Sequence, residues 1–182
     1  MYLSDIDIKK ALESKEITIE NFEERRLQPA SYDILLGNKF IITESHTSQY
    51  IDPVRGEFPK TREVEIADDE SFVLHPGVSV LGTTIDYVGA TGNYLIHISG
   101  KSSLARIGLI VHNTAGIVNP GHFLNITLEL GNLNNIPIVL RPKMEIAQLL
   151  FSRLTSSPSQ SYDETGRYSE TNWTGIVPAK GK

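Results

Sequence analysis

From Leu35 onward the chain is a succession of short apolar runs separated by Gly, Pro and Asn, and this limits the fold more than any other feature. Phe40-Ile41-Ile42, Phe72-Val73-Leu74 and segments 78–81, 94–98, 124–130, 136–140 and 146–151 all read as strands. Between them stand Asp52-Pro53, His75-Pro76-Gly77, Thr91-Gly92-Asn93, Asn119-Pro120-Gly121 and Arg141-Pro142-Lys143, each a turn signal. Many short strands with few helices point to an antiparallel sandwich or barrel and away from a βαβ fold. Residues 43–62 are polar and strand-poor, so they read as a long excursion. The N-terminus carries the one clear helix. Ser4 precedes it with Asp7 three positions on, Leu3 and Ile8 occupy staple positions, and Ile8, Ala11 and Leu12 share a face.

At 182 residues the chain reads as one domain, 1–182, with a mobile tail over 155–182 that is rich in Ser, Thr and Gly. The formal net charge of −5 speaks against a nucleic-acid binder with a basic surface. Any anion must instead meet Lys and Arg gathered in one pocket. There is no cysteine, which removes disulfides, thiol nucleophiles and every Cys-containing zinc site. Residues 1–5 turn charged at once, without a signal-peptide core, and no apolar run approaches the ~20 residues that span a bilayer. These features predict a cytoplasmic protein without a membrane partner.

Three stretches can carry chemistry. Gly100-Lys101-Ser102-Ser103-Leu104-Ala105-Arg106 follows a strand and opens into a short helix-like piece ending at Gly108. Two hydroxyls and Lys101 stand at its start, and Arg106 lies four residues after Ser102, on the same face. The pattern suits a polyphosphate cradle but is not a Walker loop, and it equally suits a capped turn with surface cations. In the second stretch alternation puts Leu124, Ile126, Leu128 and Leu130 on one face and Asn125, Thr127 and Glu129 on the other. Partial desolvation there raises the expected pKa of Glu129 toward the range of a general acid–base, unless that face is simply solvated. The third is His112-Asn113-Thr114-Ala115-Gly116-Ile117-Val118-Asn119-Pro120-Gly121, where small residues admit a flat ring close to the backbone. A plain turn between strands is the alternative. The five histidines show no metal-ligand spacing, so no metal ligands are assigned.

Together these stretches resemble the dCTP deaminase family of the dUTPase-like superfamily over nearly the whole chain. The resemblance rests on Leu3-Ser4-Asp5-Ile6-Asp7-Ile8, Gln28-Pro29-Ala30-Ser31-Tyr32-Asp33-Ile34-Leu35-Leu36, and His75-Pro76-Gly77 through Leu81-Gly82-Thr83-Thr84. Its most specific parts are residues 100–106 and Thr114-Ala115-Gly116 with Pro120-Gly121 and Ile126-Thr127-Leu128-Glu129. It implies a mainly β fold, a distorted β-barrel or jelly-roll-like dUTPase type with an N-terminal helix and a few short helices. It further implies a homotrimer with shared active sites.

By the same resemblance Lys101, Ser102, Ser103, Leu104, Ala105 and Arg106 hold the triphosphate and line the base pocket. Glu129 is the proton shuttle, with Ser102 and Arg106 placing the attacking water. Ala115 lies against the base, Asn119 near the deoxyribose, and Thr127 and Leu128 beside Glu129, while Gln148 and Tyr162 complete the nucleotide contacts. Deamination in the family proceeds without zinc, and Mg²⁺ arrives with the triphosphate. The implied reaction is dCTP to dUTP and ammonia, feeding dUMP and dTTP synthesis, with dTTP a candidate inhibitor. The rivals are a bifunctional dUMP-forming enzyme, a dUTPase alone, and a non-catalytic nucleotide-binding trimer. Two departures from the family pattern bear on this. Asn119 replaces an Asp, and the tail reads Arg167-Tyr168-Ser169-Glu170-Thr171 where the family has a Lys-Tyr run ending in Gln. Arg167 can serve as the phosphate contact, whereas Thr171 is shorter than Gln. Gly116 points toward the dual activity, but the missing carboxylate at Asn119 ranks dUTP ahead of dUMP as the expected product.

Overall fold

The computed structural model describes residues 1–166 and 168. Helix α1 (Asp5–Glu13) begins where the sequence places it, with Ser4 Oγ accepting the Asp7 N–H and Ile8 and Ala11 buried. Twelve strands follow among the described residues: β1 (Ile17–Ile19), β2 (Leu27–Gln28), β3 (Ser31–Thr43), β4 (Thr61–Glu65), β5 (Phe72–Leu74), β6 (Ser79–Ala90), β7 (Tyr94–Gly100), β8 (Leu109–Ile110), β9 (Ile117–Val118), β10 (Phe123–Asn132), β11 (Ile138–Leu140) and β12 (Glu145–Arg153). Two further short helices are α2 (Ser102–Ala105) and α3 (Tyr162–Thr165). The mainly β expectation holds, with a curled, half-barrel-like sheet at its centre. No helix among the described residues is long and apolar enough to cross a membrane.

The main sheet runs β8-β10-β6-β3-β12-β7-β9, with β1 added to β6 and β2 and β4 added to β3, while β5 and β11 form a separate pair. All these pairings are antiparallel. Strand β3 serves both halves. Its first part pairs with β12 and its second with β6 and β4. Tyr32, Ile34, Leu36 and Phe40 of β3 meet Leu128 and Leu130 of β10 and Ile146, Leu149 and Phe151 of β12 in one core, all fully buried. Burying each such side chain is worth about 1.5–3 kcal/mol, so a one-residue slip of β10 would forfeit Ile126, Leu128 and Leu130 together. That preference holds Glu129 on the opposite face.

One departure from regular pairing places polar groups inside. Register shifts between Asn125 and Thr127 of β10, leaving Thr84, Ile85 and Asp86 as a bulge of β6. Thr84 Oγ1 fills the gap, accepting the Ile126 N–H at 2.8 Å and donating to the Asp86 carbonyl at 3.0 Å. The bulge turns the Asp86 side chain inward, where it meets Arg26 at 2.8 Å. Arg26 also donates to the Asp33 carbonyl at 3.1 Å, lies over the Tyr32 ring and reaches Glu23 at 3.2 Å.

The strand boundaries differ from the apolar runs in an instructive way. Strand β3 begins at Ser31, nine residues before the run at Phe40, and β6 continues through Gly82 and Gly89 to Ala90. The excursion over 43–62 is largely as expected, but its end is strand β4, which is exposed except for Val64 and Ile66 beyond it. The near part of the tail packs back on the chain. Tyr162 N–H donates to the Pro120 carbonyl at 3.1 Å.

Candidate active site

Strand β12 lies between β3 and β7, and its register aligns Gln148 with Asp33 on one side and Ser99 on the other. Ala147 and Leu149 point into the core, so Gln148 faces outward, toward a cleft of about 570 Å³. Gln28, Asp33, Gly100, Lys101, Ser102, Ser103, Ala105, Glu145 and Gln148 line that cleft. Gln148 is held at both ends of its amide, accepting from Ser31 Oγ at 3.1 Å and donating to the Gly100 carbonyl at 3.1 Å. Lys101 follows β7 directly and lies between two carboxylates, 2.6 Å from Asp33 Oδ2 and 2.7 Å from Glu145 Oε2. Burial lowers the Lys101 pKa, but its hydrogen bonds and charge pairing with Asp33 and Glu145 outweigh this and raise it overall. Lys101 in turn holds the Glu145 carboxyl below the usual carboxylate range. Gln28 adds a hydrogen bond to Asp33 Oδ2 at 3.2 Å.

A second group of polar residues lies along β10 and the loop before β9. Glu129 is half-buried, and its Oε2 accepts the Asn113 N–H at 3.1 Å. Thr127 shares its face, while Leu128 is fully buried and has only its peptide groups to offer a ligand. Ala115 is exposed, and the Gly116 carbonyl accepts the Ile98 N–H at 2.8 Å. A Cβ at Gly116 would stand 3.0 Å from His112 Cε1 and 3.1 Å from the Ile98 carbonyl, tighter than ordinary contact, so local packing alone favours glycine there. Asn119 is exposed and opens a turn in which its carbonyl accepts the His122 N–H. At Gly121, φ is +85° and a Cβ would collide with Ser161, which lets α3 close over this turn. Tyr162 stacks there on His122 with ring centroids 4.0 Å apart. Burial pushes the His122 pKa down, against a hydrogen bond with the Tyr168 backbone that pulls it up.

The structure therefore gathers Lys101, Ser102, Ser103, Ala105 and Gln148 in the cleft. It sets Ala115, Asn119, Thr127, Leu128, Glu129 and Tyr162 apart from that lining. Leu104 packs partly against the core, and Arg106 is exposed at the end of α2 with no ion pair among the described residues. Arg167 and Thr171 lie outside the described residues. Sequence reading assigned no role to Asp33, Gln28 or Glu145, although all three line the cleft. Asp33 and Gln28 carried a signal, as polar residues in a motif leading into an apolar strand. Glu145 carried none, standing at the first position of β12 directly after a turn. Among the described residues no group of three or more His, Asp or Glu is placed to hold a metal ion.

A family model described as dCTP deaminase-like matches residues 2–154. The chain belongs to the dCTP deaminase-like family. It is an enzyme, a hydrolase of the deaminase type. A protein named "dCTP deaminase, dUMP-forming" from Tropheryma whipplei (strain Twist) is 47% identical over 162 residues, covering 89% of this chain and 83% of its own. Another of that name from Pseudarthrobacter chlorophenolicus is 42% identical over 168 residues, covering 92% and 87%. The crystal structure of 2′-deoxycytidine 5′-triphosphate deaminase from Agrobacterium tumefaciens superimposes with a TM-score of 0.62 at 19% identity, covering 82% of this chain and 46% of that one. That likeness concerns the fold. Against this dCTP deaminase-like background the cleft and the Glu129 face are two parts of the same chain.

Proposed function

We propose that the chain hydrolyses the exocyclic amine of dCTP, with Glu129 as proton shuttle and the Lys101 cleft as the triphosphate site. The observation that carries the reading is a half-buried carboxylate, Glu129, on a family-matched strand, together with a cleft that presents Lys101, Ser102 and Ser103. Water attacks C4 of cytosine, and Glu129 accepts its proton. The carboxyl passes that proton to N3, then takes the second from the new C4 hydroxyl and gives it to the departing amine as the C4–N bond breaks, so dCTP and water become dUTP and ammonia. An acid–base group cycling this way contributes about 10²–10⁴-fold. Ser102 and Arg106 place the water and the ring. Because the Glu129 face does not line the cleft, we assign one active site to two copies of the chain, in a homotrimer with shared sites.

The residue set supports a zinc-free reaction, since the His-x-Glu, Pro-Cys-x-x-Cys type of zinc deaminase site cannot form in a chain with no Cys. Magnesium would come with the triphosphate, where it would offset the phosphate charge, and no side chain of this chain is assigned to hold it. The same lack of Cys fits a cytoplasmic setting.

The names of the relatives reverse the product order that Asn119 suggests. Both are dUMP-forming, and Gly116 agrees with them, so we place triphosphate cleavage to dUMP and pyrophosphate after deamination. Asn119 keeps an acceptor oxygen that orients a water without taking its proton. The second reading, dUTP as final product, rests on that missing carboxylate. Single-turnover incubation with dCTP, products separated by ion exchange, distinguishes them. Dominant dUMP supports the bifunctional reading, dominant dUTP the second, and no deamination refutes both.

A further inference from the structure

The Lys101 ammonium is already neutralised before any substrate is considered. Asp33 and Glu145 each hold it within 2.7 Å, and two carboxylates against one ammonium leave the triad with a net negative charge. A triphosphate approaching this centre meets repulsion unless one carboxylate withdraws. The two are not equivalent. The Asp33 side chain is 5% exposed and is also held by Gln28, so releasing it would strand a buried charge. Glu145 is 40% exposed at the mouth of the cleft, at the first position of β12, and can move into water at small cost.

We propose that Glu145 is an affinity-tuning residue that competes with the substrate's phosphates for Lys101, so that nucleotide binding exchanges the Glu145 carboxylate for a phosphate while Asp33 stays in place. This rests on the reading of the cleft as the triphosphate site. The exchange keeps the charge on Lys101 matched throughout: a carboxylate leaves as a phosphate oxygen arrives, and Asp33 holds the ammonium at the end of β7 in both states. It also makes the cleft selective by charge. A ligand with one phosphate gains little over Glu145, whereas a triphosphate displaces it. Removing the competitor therefore tightens binding, the opposite of what truncating a contact residue does.

The test is calorimetric titration of the full chain with dCTP and, separately, with inorganic tripolyphosphate, at low and high salt. Glu145→Gln keeps the shape and removes the charge, and should tighten both ligands by about two- to fivefold at low salt, with the gain shrinking as salt rises. Lys101→Met should weaken both. In the Lys101→Met background, Glu145→Gln should yield less than half of its effect on the logarithm of affinity. Weakened binding in Lys101→Met with no tightening in Glu145→Gln overturns the competition but leaves the cleft reading standing. Equal tightening in both backgrounds also overturns it, because Glu145 then acts through general repulsion and not through Lys101. If neither variant alters tripolyphosphate binding, the cleft reading itself is wrong.

Discussion

Arg26 and Asp86 lie 2.8 Å apart with both side chains 2% exposed, and between them they clamp the two peptide groups that flank Ile34. Arg26 Nη1 donates to Asp86 and to the Asp33 carbonyl, and the second oxygen of Asp86 accepts the Leu35 N–H at 2.7 Å. This is where β3 leaves β12 and crosses to β6, so backbone groups that a regular ladder would satisfy are met by a side-chain pair. Replacing Arg26 strands Asp86 as a buried charge, at a cost of about 3–5 kcal/mol, whereas replacing Asp86 leaves Arg26 paired with Glu23 and costs less. We expect Arg26→Met to lower the unfolding free energy obtained from denaturant titration by that amount, and Asp86→Ala to lower it by less. The Arg26→Met, Asp86→Leu double variant should recover part of it. Two single variants of near wild-type stability would contradict the clamp.

Glu129→Gln should abolish deamination while leaving nucleotide binding measurable. The amide preserves the shape and an acceptor for Asn113 N–H but cannot cycle a proton, so a loss of about 10²–10⁴-fold in single-turnover rate is expected. Turnover above roughly a tenth of wild type would assign the shuttle elsewhere.

Arg106→Ala should act on kcat/KM. An exposed guanidinium with no ion pair among the described residues contributes little to stability, so its melting temperature should barely change. Loss of a charge-assisted contact to substrate should cost about tenfold or more in kcat/KM. Unchanged kinetics would remove Arg106 from the site.

His122 gives a pH prediction. Burial holds its pKa below the ordinary 6.5, so on acidification the unfolded chain takes up this proton before the folded chain does. The contribution of His122 to stability is therefore full above about pH 6.5 and declines as pH falls below it. Melting temperature should drop between pH 7 and 5.5 in the wild type. In His122→Phe, which keeps a ring against Tyr162 but cannot titrate, that part of the drop should disappear. Parallel pH profiles in the two proteins would exclude His122 as its source.

What could be read in advance follows from how each residue is buried. In β10 one face is core and the other polar, so alternation puts Glu129 outward, while β12 shows in the sequence as the apolar run 146–151. The beginning of β3 was less legible because Tyr32, Asp33 and Ile34 are all buried, so Ser-Tyr-Asp breaks the apolar pattern without leaving the interior. Strand β4 was invisible for the converse reason, since Thr61, Arg62, Glu63 and Glu65 are exposed and only pairing with β3 makes them a strand. The Lys101 partners could not be read at all. Asp33, Lys101 and Glu145 stand far apart in sequence, and their meeting depends on which strands become neighbours.

Along the path β8-β10-β6-β3-β12-β7-β9 no strand lies beside its neighbour in sequence. During synthesis β3 and β7 emerge long before β12, and each waits with an open edge that no local hairpin can cover. Closure of such long loops places folding on the slow, millisecond-to-second side for small β proteins. The insertion of β12 also brings Gln148 and Glu145 to Asp33 and Lys101. The chain thus gains its binding cleft in the same event that seals its sheet, and a nascent chain halted before β12 holds half a site on an unfinished edge.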